Sequence, residues 1–147
     1  MKLSFNKLVA AFGNSKTKEP AETENITNDI INAIEGNPFA VSEQNVMYGA
    51  IKELGGYYYF KTIIVGSFKI KTKKGATLSI ASNDFELDLK TDMDEFESDH
   101  SNVSNRFITR IDFQVEDEHV SKIDASKIDT LKLKAKKNVI NFKIFKD

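Results

Sequence analysis

From Tyr57 almost to the carboxyl end, apolar residues recur at every second position, and this period most restricts what the chain can become. Phe68 and Ile70 alternate with Lys69 and Lys71, Leu78 and Ile80 flank Ser79, and Phe85, Leu87 and Leu89 alternate with Glu86, Asp88 and Lys90. Phe107, Thr109, Ile111, Phe113 and Val115 follow, then Leu131 and Leu133 among lysines, then Ile140, Phe142 and Ile144 around Asn141 and Lys143. Side chains two apart share one face of a strand, so each run has one buried and one wet face. Parallel strands are covered on both sides and read as unbroken apolar runs, so clean alternation means antiparallel sheet. Lys73-Lys74-Gly75, Ser82-Asn83-Asp84 and Lys136-Lys137-Asn138 have the composition of hairpin turns. The expected sheet is a six- to seven-stranded antiparallel meander, curled or drawn into a half-barrel to hide its apolar side.

Before Tyr57 the period is helical. Ile26, Ile30, Ile31 and Ile34 share a helix face, with Asn25 as N-cap and Gly36 and Pro38 as stop signals. Ser42 is placed to cap a second helix carrying Val46, Met47, Ala50, Ile51 and Leu54, ended by Gly55 and Gly56. This helical pair over 25–55 and the sheet over 57–147 make one α+β domain spanning 25–147, in keeping with a chain of 147 residues. Phe5, Leu8, Val9 and Phe12 recur at i, i+3, i+4 and i+7, which predicts a short amphipathic helix over 1–12. Residues 13–24, GNSKTKEPAETE, have too little apolar surface to offset the entropy of ordering and read as a flexible linker.

Several functional classes are disfavoured. Lys and Arg number 21 against 22 Asp and Glu, and only Arg106 and Arg110 are arginines, so nothing directs the chain to a phosphate backbone. The helical pair resembles a helix-turn-helix in outline only, since its second member offers Glu43, Gln44, Asn45, Lys52 and Glu53 rather than a basic face. No stretch approaches the roughly 20 apolar residues that span a bilayer. Ser4, Asn6 and Lys7 interrupt the opening apolar run where a signal peptide needs continuity, so the reading is a soluble, cytoplasmic protein. Cysteine is absent, which removes thiolate chemistry, disulfides and Cys-ligated metals together.

The acidic segment Asp92, Asp94, Glu95, Glu97 and Asp99 could supply oxygen to a hard cation, but Glu97 stands where the known calcium loop turns on Gly and Val103 where it needs Glu. It reads as a solvated connection with no metal. His100 and His119 sit among acids and near Ser98, Ser101 and Ser121, yet no nucleophile elbow, H-E-x-x-H pair, phosphate loop or dinucleotide fingerprint occurs. The period-five repeat SKIDA-SKID is too short for a solenoid unit and reads as a connector carrying Ile123 and Ile128 inward. No catalytic, metal or cofactor residues are assigned.

What remains is a surplus of aromatic surface. Tyr57-Tyr58-Tyr59-Phe60 places rings on both faces of one strand, which marks a central or doubly covered strand or a contact with another molecule. Phe5, Phe12, Tyr57, Tyr58 and Tyr59 are the candidate interface residues. The acids of 84–99 and the lysines of 127–146 form opposite charge fields, and lysines on the last strand suit an exposed sheet edge. The sequence therefore reads as a non-enzymatic binding or assembly domain, with a protein partner or a second copy forming a homodimer. The rival reading is a carrier or enzyme for a small hydrophobic ligand held inside the curled sheet.

Overall fold

The computed structural model describes residues 18–101 and 106–146, with side chains from residue 26 onward. A helix, α1 (Lys18–Ala33), precedes eleven strands. These are β1 (Ala40–Val41), β2 (Asn45–Leu54), β3 (Tyr57–Gly66), β4 (Lys71–Thr72), β5 (Thr77–Ala81) and β6 (Glu86–Lys90). Then come β7 (Phe96–Glu97), β8 (Asp99–His100), β9 (Phe107–Val115), β10 (Thr130–Ala135) and β11 (Asn138–Ile144), with a 3-10 helix (Asp117–Lys122) between β9 and β10. Nine strands form one antiparallel sheet in the order β6-β5-β10-β11-β1-β2-β3-β9-β8, and β4 pairs with β7 separately. The curled antiparallel sheet is thus as the alternation requires. The meander of six or seven strands is not: β1 joins β11, β3 joins β9 and β5 joins β10 across long stretches of sequence. Alternation reveals which residues face inward but carries no information about which strand lies alongside.

The sheet curls so far that its two ends touch. Thr91, just past β6, forms an antiparallel bridge with Phe113 of β9, and the Asp92 N–H donates to the Asp112 carbonyl at 2.8 Å. The half-barrel interior is solid. Phe60, Phe113, Phe142, Leu78, Leu131 and Leu133 are essentially sealed from solvent, with Met47 and Ile64 beside them. Buried polar groups inside are paired: the Thr62 hydroxyl donates to the Ile111 carbonyl at 2.7 Å, and the Ser98 and Thr109 hydroxyls lie 2.6 Å apart. Asn45 Oδ1 accepts from the Phe68 N–H at 2.9 Å. Gly66 lies against that same turn, where an added Cβ would collide with the Gln44 carbonyl and Asn45 Oδ1, so only a residue without a side chain lets the two strands approach.

The segment read as a second helix is instead β2. Two physical circumstances disguise it. Its first residues are buried on both faces, Val46 against α1 and Met47 in the barrel, so the apolar residues run together and mimic a helix stripe. Gly55 and Gly56, read as a helix stop, have φ of 59° and 86° and join β2 to β3 with Leu54 opposite Tyr57. Two successive left-handed residues are what a tight type I′ hairpin requires. Ser42, read as a cap, accepts the Asn45 N–H at 3.0 Å as a cap would, but it closes the turn between β1 and β2.

α1 also starts earlier than expected, at Lys18, so residues 18–24 of the expected linker are helical and Asn25 lies inside the helix rather than capping it. Ala and Glu are strong helix formers, and Pro20 falls in the first turn, where its missing N–H costs nothing. The helix expected over 1–12 and the first part of the linker lie outside the described residues. α1 does not lid the barrel. Ile30 and Ile31 pack on the opposite face of the sheet, against Val41, Val46 and Val65, forming a second apolar layer. Lys73-Lys74-Gly75 links strands of different sheets, so it is not a hairpin, whereas Lys136-Lys137 does turn β10 into β11. The lysines of the last strand guard no edge, because β11 lies inside the sheet between β10 and β1.

Tyr48, on the helix side of β2, has a buried hydroxyl with no hydrogen-bond partner among the described residues, and desolvation pushes its pKa from 10.0 to about 12. A neutral form favoured by the native state stabilises the fold below the unfolded pKa, and this contribution is lost as pH rises from about 10 to about 12. Tyr48→Phe removes that dependence and an unpaired polar atom. Its denaturant unfolding is expected to show stability at pH 7 unchanged or raised by up to about 1 kcal/mol, with a smaller decline at alkaline pH than the parent. A substantial loss at pH 7 would contradict this.

Candidate functional site

The bridge between Thr91 and Phe113 is a pin, and beyond it the seam opens. Continuing the same antiparallel register past the pin would set Asp88 of β6 opposite Glu116, just after β9. Directly opposed like charges destabilise a strand pair, and Glu116 is also where the chain leaves the sheet for the 3-10 helix. The two edges part, leaving a cleft of about 660 Å³. That volume lies within the range of ligand sites, roughly 300 to 1,000 Å³.

Three elements build the cleft. β6 contributes Leu87 to Lys90, β9 and its extension contribute Gln114 to Asp117, and the start of β3 contributes Tyr57, Tyr58 and Tyr59. His119 of the 3-10 helix closes one side. Its floor is apolar, because Leu89 and Val115 are buried core residues and Tyr58 and Leu87 pack on the same core. Its rim is charged, with Asp88, Glu116 and Asp117 set against Lys90. Gln114 is held in place, its Nε2 donating to Asp92 Oδ1 at 3.0 Å.

The edge of β6 facing this opening pairs with no strand among the described residues, and the register shows which atoms it offers. The Ser82 N–H donates to the Phe85 carbonyl and the Thr91 N–H to the Ala76 carbonyl, so the odd-numbered residues along β6 bond inward to β5. Backbone groups alternate in direction along an antiparallel strand, and the outward bond of Asp92 agrees. The main-chain N–H and C=O of Asp88 therefore point away from β5 and into the seam.

Among the residues singled out by sequence, Tyr57, Tyr58 and Tyr59 all reach this cleft, while Phe5 and Phe12 lie outside the described residues. The other candidates are dispersed. Asp92 binds Gln114, Asp99 pairs with Arg110 at 3.4 Å, and Glu97 lies in β7 opposite Lys71. Among the described residues no group of three or more His, Asp or Glu is placed to hold a metal ion. Ser98 is occupied structurally, touching Thr109 and accepting the Ile70 N–H at 2.9 Å. His100 packs on Phe107 at one end of β9 and His119 follows its other end, roughly 25 Å apart at the usual strand rise of about 3.3 Å per residue. They do not form one site. Leu87, Asp88 and Glu116 were missed because their pairing across the seam depends on a register that no local pattern encodes. Among the described residues no helix is long and apolar enough to cross a membrane. Comparison with protein-family models, curated proteins and solved structures finds no match.

Tyr57 is 70% exposed whereas Phe60, three residues on in the same strand, is fully buried. Thermal or denaturant unfolding should register a loss of about 3–5 kcal/mol for Phe60→Ala and less than about 0.5 kcal/mol for Tyr57→Ala. A large cost for Tyr57→Ala would mean that its ring supports the hairpin rather than the rim of the cleft.

Proposed function

We propose that this chain is a non-enzymatic binding domain that holds a polypeptide segment of a protein partner in the seam between β6 and β9. The carrying observation is the combination of an apolar floor, a tyrosine-rich wall and an unpaired strand edge in one opening. Tyrosine supplies large contact area at low conformational cost and is enriched where proteins touch. The rival reading of a hydrophobic ligand inside the sheet is weakened by the filling of the interior, where Phe60, Phe113 and Phe142 leave the core closed.

An unbiased peptide-display selection on the full chain tests this. Selected peptides should compete with one another and shift amide resonances of Tyr57 to Tyr59, Leu87 to Lys90 and Gln114 to Asp117, and Leu87→Glu should weaken them at least tenfold. Selected peptides that map consistently to another surface would overturn the reading.

Assembly of two copies is a second use of the same end of the molecule, favoured by the exposure of Leu54 at 60% and Tyr57 at 70% across the β2–β3 hairpin. Light scattering at tens of micromolar should then report a dimer that Leu54→Lys with Tyr57→Lys converts to monomer. A parent chain that is monomeric at that concentration removes it.

A further inference from the structure

The chemistry of the seam specifies what kind of segment fits, and this inference rests on the reading of the cleft as a polypeptide site. We infer that the occupant is an extended, cationic strand that adds to the free edge of β6, with apolar residues alternating with Lys or Arg. Three observations lead there. The outward N–H and C=O of Asp88 have no partner among the described residues and match the hydrogen-bonding groups of an added antiparallel or parallel strand. Side chains of a strand in that position alternate between the two faces of the sheet. Those turned inward meet Leu87, Leu89, Val115 and Tyr58, and so are apolar.

Those turned outward lie between Asp88 and Glu116, with Asp117 beyond. Lys90 and His119 line the same opening, but three carboxylates against one lysine leave it net negative. The like-charge opposition of Asp88 and Glu116 across the seam becomes an attraction once a cationic side chain stands between them. Alternation of apolar and basic residues is thus set by the pleat of the neighbouring strand and the sign of its outer face.

Eight-residue peptides of alternating Lys and Val, and of alternating Glu and Val, provide the probes, titrated against the full chain by fluorescence polarisation. The Lys–Val peptide should bind at least tenfold more tightly. On binding it should slow hydrogen exchange of the Asp88 amide at least tenfold. Of two Lys–Val peptides N-methylated at alternate residues in complementary registers, one should lose binding at least tenfold and the other retain it, because only one register presents its N–H groups to β6. Asp88→Lys with Glu116→Lys should reverse the preference towards the Glu–Val peptide. Equal binding of both peptides at the cleft overturns the cationic preference and leaves the polypeptide site standing. A Lys–Val preference with unchanged Asp88 exchange and no N-methyl effect overturns strand addition, since it is charge attraction alone. If neither probe perturbs the cleft while display-selected peptides do, the inference fails by itself; if those peptides also map elsewhere, the polypeptide site fails with it.

Discussion

The ladder between β2 and β3 is buried on both faces at one end, and the remaining architecture is organised around it. Met47 lies opposite Ile64 on the barrel side, and Val46 lies opposite Val65 on the helix side. A sheet with one apolar face needs one cover, whereas this pair needs two, supplied by α1 on one side and by the curl of the sheet on the other. α1 packs over Val46 and Val65, and the curl of the sheet gathers Met47 and Ile64 into the barrel core with Phe60, Phe113 and Phe142. Nearby buried backbone depends on the same close approach, since Asn45 can hold the Phe68 N–H only because Gly66 brings no side chain to that point. Disturbing this end of the ladder would expose both apolar layers together, which makes it a poor place for a mobile or exchanging site. The cleft lies at the other end of β3, where the outer residues face water.

How much of this was legible depended on whether a feature is local. Phe85, Leu87 and Leu89, or Leu131 and Leu133, stand out because one face is wet and the period of two is visible. Val46 and Met47 defeat the same rule because both faces are dry, and the period disappears where the strand is most deeply embedded. The glycine pair after Leu54 held the corrective signal: two adjacent glycines between apolar stretches suit a hairpin whose turn needs positive φ twice. Strand order was not legible, since pairing of β1 with β11 is decided by the whole core rather than by either two residues or seven. The surplus of aromatics at Tyr57 to Tyr59 was visible, but their placement beside Asp88 and Glu116 required knowing where the sheet closes.

The opening itself is a balance between closure and repulsion. A fully closed barrel removes strand edges and the hazards they carry. Here closure proceeds as far as Thr91 and Phe113. The register beyond would set Lys90 against Gln114 and Leu89 against Val115 before opposing the carboxylates of Asp88 and Glu116, where the chain turns into the 3-10 helix. A neutral or oppositely charged pair at that rung would favour continued zipping. The exposed edge is short, and the charges beside it discourage indiscriminate pairing with apolar strands, a common protection for unpaired edges.

The position of β1 has a consequence for how the chain reaches this state. Ala40 and Val41 lie between β2, their immediate neighbour in sequence, and β11, which ends at Ile144. On the ribosome, α1 and the β2–β3 hairpin emerge long before β10 and β11 exist, so the barrel core that Met47, Phe60 and Ile64 share with Leu131, Leu133 and Phe142 stays incomplete during most of synthesis. Local pairing can begin early, but completion waits for the emergence of β11. Topologies dominated by such distant pairings close in milliseconds to seconds rather than microseconds, because loop entropy is lost before the contacts form. Throughout that interval the nascent protein presents an incompletely covered apolar sheet, the kind of surface that chaperones recognise and that aggregation exploits.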